Sequence, residues 1–285
     1  MTAQVTIDIW SDVMCPWCII GYRQLQTGLA TLEGEIEAEV RWHAFELNPD
    51  MPPEGEDSAA HVQRKYGRSP AEAEAGRERM SSIAEAAGYS FRYTGPIEDG
   101  GDPPPARMRN SFLAHKLLTH TLAAHGPAAQ TRLKLALFDA HFQQRRDVSD
   151  AKVLADIYAT LGLPRHEAEV AFADPVLGDR VRAEEAQAWD MNISGVPAML
   201  VNGKYLIPGA QDPETYATAL RRVVAKDAQA LASALSALWI SLRSGTLWRT
   251  IAALAEGCSE SCASPSNAAK PPRAAHRWRL SRCFA

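Results

Sequence analysis

Two cysteines three positions apart, Cys15-Pro16-Trp17-Cys18, stand between a strand-like segment and a helix-forming one. Val5, Ile7 and Ile9 alternate with polar residues, the period of a strand, so a strand is expected over residues 4–10. Ser11-Asp12-Val13-Met14 then reads as a loop. Pro16 suits the first turn of a helix, where its missing N–H would be unpaired in any case. Tyr22, Leu25, Leu29 and Leu32 follow at helical spacing, and Gly34 marks the stop. A second strand is expected from Ile36 to about Phe45. The first 45 residues therefore read strand, cysteine pair, helix, strand, a parallel βαβ unit with a dithiol at its helix entry.

Unpaired backbone N–H groups and the helix dipole favour an anion at that entry. Comparable sites lower a thiol from ~8.5 into the range ~3.5–7.5. Cys15 is expected to be the nucleophile, and Cys18, one turn further in, to resolve the mixed disulfide. Pro16 and Trp17 border the pair as substrate-contacting candidates. Trp17 adds bulk without a cation, so the expected potential is less oxidising than that of the strongest oxidants, near about −120 mV. Zinc is the other use of such a pair, but it usually takes four ligands. No second C-x-x-C or H-x-x-x-H follows, and His115 and His120, five apart, fall on different helix faces. No metal is expected. His43 and His115 are candidate proton carriers, with a structural role the commoner use of such residues; Trp10 and Trp42 read as core.

A net charge of −4 over 285 residues gives no whole-protein reason to expect nucleic acid or an anionic membrane. An apolar fraction of 46% is that of an ordinary globular chain. The N-terminus lacks the basic start and long apolar run of a secretion signal, and no apolar stretch approaches the ~20 residues of a membrane span. The expected compartment is the cytoplasm, where cysteine pairs are catalytic, redox-sensing or metal-binding.

Residues 48–58, rich in Pro, Gly and acid, read as a surface loop. Helices are expected at 58–66, 70–87, 106–124, 128–144, 149–161 and 176–190, with a break at Gly100-Gly101-Asp102-Pro103-Pro104-Pro105. This block, 58–190, reads as an all-α insertion, in which Arg107, Arg109 and Asn110 are candidates to line a substrate groove. Strands return with Ala198–Val201 and Lys204–Ile207 around Asn202-Gly203, a strong hairpin signal. Asp212-Pro213 then opens a helix carrying Tyr216, Leu220 and Val223. The resulting organisation is 1–57 with 191–225, the insertion 58–190, and a tail 226–285. The tail reads as an amphipathic helix at about 227–242 followed by poorly ordered, basic chain. Cys258 and Cys262, four apart, would share a helix face as a second dithiol, although Gly257, Ser264 and Pro265 favour incidental thiols.

Ser194-Gly195-Val196-Pro197 precedes the hairpin, and Pro belongs at the first residue of a strand because it cannot donate to the ladder. This stretch through Gly209-Ala210-Gln211, the segment Asp12 to Gly21, Phe45-Glu46-Leu47-Asn48-Pro49, and Asn110-Ser111 with Ala114-His115 together resemble the DsbA-like thioredoxin superfamily, most closely its FrnE branch, over about residues 4–225. The resemblance implies an α/β thioredoxin fold with a helical insertion, redox chemistry at Cys15 and Cys18, a cis Pro197 facing the pair, and pairing of the Val196 backbone with an extended substrate. It implies no separate cofactor. The partners it implies are a disulfide-containing protein or a small thiol, with a cellular thiol such as glutathione as reductant. A related branch holds glutathione-dependent isomerases of the 2-hydroxychromene-2-carboxylate type, which carry Ser at the first cysteine position. A redox-linked holdase is the third reading.

Overall fold

The structure, a computed structural model, describes residues 2–97 and 101–243. In chain order the elements are β1 (Ala3–Ser11), α1 (Pro16–Ala30), β2 (Ile36–Ala44), β3 (Glu56–Asp57), α2 (Ser58–Tyr66), α3 (Pro70–Ala86), β4 (Arg107–Met108) and α4 (Phe112–Phe138). One π turn over Asp139–Gln143 leads to α5 (Ala151–Thr160), α6 (Arg165–Ala173), α7 (Pro175–Asp190), β5 (Ala198–Val201), β6 (Tyr205–Pro208) and α8 (Pro213–Arg243).

The main sheet has the order β2-β1-β5-β6. β1 and β2 run parallel, from Ala3 opposite Ile36 to Ser11 opposite Ala44. β5 pairs antiparallel with β1, and β6 with β5. The alternation in β1 sends Val5, Ile7 and Ile9 into one core, where Tyr22 and Leu25 of α1 meet Tyr216 and Leu220 of α8. Trp10 takes the opposite face and packs with Phe45, Ala188, Ile193 and Ala198. Asn202 and Gly203, with φ of 51° and 65°, are the left-handed central residues of the turn in which the Lys204 N–H donates to the Val201 carbonyl at 3.1 Å, and with Lys204 they form the three-residue loop between β5 and β6.

The helical insertion has its own core, built from residues such as Leu117, Leu133, Leu137, Leu154 and Tyr158. Val13 and Met14 are buried in that same core, so the loop leading to Cys15 is gripped by the insertion. Gln130 of α4 holds the outer edge of β2. Its side-chain oxygen accepts the Trp42 N–H at 2.9 Å and its amide nitrogen donates to the Trp42 carbonyl at 2.7 Å. Those groups would otherwise lie unpaired at a sheet edge.

Three expectations are corrected. The helix expected from 106 starts at Phe112, because Arg107–Met108 pairs with Glu56–Asp57 and Asn110 Oδ1 accepts the Phe112 N–H at 2.9 Å. α4 also joins two expected helices across Gly126, which has φ 78° and ψ 177° ahead of Pro127. Finally, α8 is one helix where two were expected, since Val224 to Ala230 contains no Gly or Pro to interrupt it. α6 was not expected at all: its buried residues, Ala168 and Ala171, are too small to give a clear apolar period.

A compact unit ends at Asp227; the described residues beyond it, Ala228–Arg243, are helical. Among the described residues no helix is long and apolar enough to cross a membrane.

Candidate active site

Cys15 is the N-cap of α1, in an extended conformation (φ −93°, ψ 111°), and Pro16 opens the helix. The Cys18 N–H donates to the Cys15 carbonyl at 3.1 Å. Both cysteines are free thiols and buried, while Pro16 is half-buried and Trp17 is 40% exposed at the rim. Across from them the Val196–Pro197 peptide bond is cis. The Cys15 thiol donates to the Val196 carbonyl at 3.5 Å. Val196 is half-buried and Pro197 buried. The two motifs expected to cooperate are thus brought together across 181 positions.

Asp12, fully buried, fixes the loop ahead of the pair. Its carboxylate accepts the Met14 N–H at 3.1 Å and the Leu47 N–H at 2.7 Å. His115 Nε2 lies 3.7 Å from the same carboxylate. Burial opposes ionisation of Asp12, but His115 and these N–H groups outweigh it and hold its pKa below the usual carboxylate value.

Lys134 of α4 was not foreseen. It is fully buried, donates to the Ser11 carbonyl at 3.4 Å, and lies over the rings of Trp42 and Phe138 at 5.4 and 5.1 Å. Burial pushes its pKa down to about 8. The signal was present: Lys134 interrupts the apolar face that Leu133, Leu137 and Phe138 share. His141, buried nearby in sequence, is pushed by burial to about 4 and is therefore neutral at pH 7.

The packed surroundings of Cys15 act against the helix N-terminus. The hydrogen bond with Cys18, burial and the negative charge of Asp12 raise it well above the ordinary thiol value. For Cys18 burial acts in the same sense, but the hydrogen bond from Cys15, the charge of Lys134 and the Ser11 hydroxyl outweigh it and lower the pKa. The Lys134 charge thus favours the thiolate form of Cys18.

His43 stacks on Trp10 with ring centroids 4.6 Å apart, pairs with Asp8 at 2.8 Å and faces Glu184 at 3.8 Å. These contacts tie β2 to β1 and α7. Arg107 and Arg109 donate to the Glu54 carbonyl, and Arg109 also pairs with Asp147 at 2.8 Å. Asn110 donates to the Pro49 carbonyl at 3.3 Å. These three residues therefore pin the 48–55 loop, whose carbonyls need donors, and they stay half-buried. His115 and His120 do face apart: His115 meets Asp12, whereas His120 faces Glu167. Cys258 and Cys262 lie outside the described residues.

A buried dithiol at a helix N-terminus, opposite a cis X–Pro bond in a four-stranded mixed sheet, defines a thioredoxin-fold dithiol protein. The DSBA-like thioredoxin domain model matches residues 6–221, and the chain belongs to that family of thiol oxidoreductases. Among solved structures it is similar to a probable DsbA oxidoreductase from Streptomyces coelicolor, with 28% identity and a TM-score of 0.66, covering 76% of this chain and 89% of that one. Cytosolic disulfide reductase DsbM from Pseudomonas aeruginosa shares the fold at 19% identity and TM-score 0.51, over 77% of this chain and 98% of that one. A 2-hydroxychromene-2-carboxylate isomerase shares it at 17% and 0.54, over 79% and 98%. Thiol:disulfide interchange protein DsbA of Escherichia coli K12 is 30% identical over 76 residues, which is 27% of this chain and 36% of that protein. The match thus spans little more than a third of that curated relative.

Proposed function

We propose that the chain is a thiol–disulfide oxidoreductase of the FrnE branch, with Cys15 as nucleophile and Cys18 as resolving thiol. The observation that carries this reading is the Cys15 sulfur 3.5 Å from the Val196 carbonyl. A backbone acceptor at that distance lies beside the attacking atom and can pair with an extended substrate bearing the target disulfide.

Cys15 must lose its proton to attack, and the neighbouring Cys18 sulfur, whose pKa is lowered, is the acceptor once it is ionised. Transfer of that proton from Cys15 to the Cys18 thiolate places the charge on Cys15 Sγ. Cys15 attacks one substrate sulfur, the substrate S–S bond breaks, and the leaving thiolate takes a proton from water. The resulting mixed disulfide is then resolved by Cys18. Cys18 passes its proton to Lys134, of which about a tenth is neutral at pH 7 given a pKa of about 8. The Cys18 thiolate attacks Cys15 Sγ and releases the second substrate thiolate. Two electrons have then moved from the pair to the substrate. A cellular thiol such as glutathione, itself oxidised to its disulfide, restores the reduced pair.

The compartment proposed is the cytoplasm and the substrate a protein or small-molecule disulfide. Cysteine at both positions of the motif supports this reading over an isomerase that needs Ser at the first. Without a cation at Trp17 the potential is placed below that of the strongest oxidants, near about −120 mV, and a redox titration against glutathione checks it. Dithiothreitol-driven insulin reduction tests the activity: the wild type is active and Cys15→Ser is inert. An inactive wild type would turn the reading toward small-molecule or binding roles.

A further inference from the structure

We propose that His120, His125 and Glu167 form a binding site for a divalent transition-metal ion, zinc foremost, that clamps α4 to α6. His125 Nε2 lies 2.6 Å from Glu167 Oε2, and His120 Nε2 lies 3.7 Å from the same oxygen. One ligand atom from each of the three residues lies within 4.8 Å of the others. Two imidazoles and one carboxylate are a donor set that zinc takes readily, with a fourth position left for water.

His120 points to a ligand as well. Its Nε2 is buried yet has no hydrogen-bond partner, and it faces the shared carboxylate oxygen. A buried polar atom without a partner calls for one, and a metal bound by Glu167 would be that partner. The distances suit the ion. With metal–ligand bonds of about 2.0–2.1 Å, tetrahedral ligands stand about 3.3–3.4 Å apart. The two contacts to Glu167, 2.6 and 3.7 Å, bracket that spacing. Small side-chain rotations convert a hydrogen-bonded cluster into a coordination shell.

The surroundings fit as well. The Tyr158 hydroxyl donates to Glu167 Oε2 at 3.2 Å, which orients the carboxylate from outside the shell. The side chains are 22–26% exposed, so the ion and its water have a path in. Gly126 breaks α4 immediately after His125, which frees the helix end to follow the ion. The opposite face of α4 carries His115 toward Asp12, so the metal site lies apart from the dithiol loop. Its role is structural: an ion that binds only the folded insertion stabilises it by mass action.

The test must separate this site from thiolate binding. In the full chain with its five cysteines changed to serine, Zn²⁺ is titrated by calorimetry, and Co²⁺ is followed by visible absorption. The expected result is one equivalent bound, a tetrahedral Co²⁺ spectrum and a higher Tm with Zn²⁺. His120→Gln and Glu167→Gln should each weaken binding by at least about 100-fold and abolish the Tm rise. Should the serine-substituted chain fail to fold, the same variants are compared in the reduced wild type, where they must lose one equivalent. No saturable binding, or equal binding with and without His120 and Glu167, overturns the proposal.

Discussion

The Lys134 ammonium and the Ser11 carbonyl stand 3.4 Å apart in the protein interior, although 123 positions separate them. This contact brings a cation from the helical insertion within electrostatic reach of Cys18, the proposed resolving thiol. Replacing Lys134 by Met keeps the volume and removes the charge. The Cys18 pKa should rise, and the mixed disulfide should persist longer before resolution. Stopped-flow measurement of substrate release, paired with the pH dependence of Cys18 alkylation, checks both.

The same lysine has a signature in stability. Its pKa falls from the ordinary 10.5 to about 8 because burial penalises the charge. Well below pH 8 both states hold the proton and the penalty is constant. Between about 8 and 10.5 the unfolded state binds more protons, so folding gains with rising pH. The stability of the wild type relative to Lys134→Met should therefore rise across that window, by on the order of 3 kcal/mol. Urea denaturation of both reduced proteins at pH 7 through 10.5 measures it; a flat difference contradicts the assignment.

His43 acts with the opposite sign. Burial disfavours its charge, but Asp8 and Glu184 outweigh that and raise its pKa from 6.5 to about 9. Its contribution is fully present below pH 6.5 and is lost as pH rises through 9. His43→Gln should cost on the order of 3 kcal/mol at pH 6 and little above pH 9.5. Insulin reduction by the folded variant should be retained, since its contacts are to β1 and α7.

Asp12→Asn separates charge from shape. The amide can accept only one of the N–H groups of Met14 and Leu47 that the carboxylate now takes, at a cost of about 1–3 kcal/mol. It also removes a negative charge that raises the Cys15 pKa. Cys15 should then titrate lower, which pH-dependent alkylation of Cys18→Ser backgrounds reads directly.

Gly28 of α1 packs directly against the first turn of α8. A Cβ there would stand 2.7 Å from the Pro213 carbonyl oxygen, a backbone atom that cannot swing aside. Gly28→Ala should lose about 1–3 kcal/mol through overpacking despite its better helix propensity. Thermal unfolding provides the test.

What was legible in the sequence was local. Val5, Ile7 and Ile9 announce β1, Pro16 places the helix entry, and Asn202-Gly203 fixes the hairpin, because each signal lies within a few residues of what it specifies. Cys15 and Val196 could be paired because the family pattern joins them. Lys134 could not be placed: its partners Ser11 and Cys18 lie more than a hundred positions away, and a lone lysine on an apolar helix face does not say what it faces. The helix dipole was legible too, but the hydrogen bond with Cys18, burial and Asp12 act against it at Cys15, and only the packed loop reveals them. α6 went unseen because two buried alanines leave almost no periodic signal, and with it went the convergence of Glu167 on His120 and His125.

Cys18 carries the lower pKa while Cys15 faces Val196, so the proposed mechanism turns on which sulfur attacks first. Each single-serine variant, Cys18→Ser and Cys15→Ser, is incubated with a disulfide-bonded protein substrate, and adducts are mapped by mass spectrometry. A stable mixed disulfide is expected on Cys15 in Cys18→Ser and none in Cys15→Ser. An adduct on Cys18 in Cys15→Ser at comparable yield would contradict the proposed order of attack.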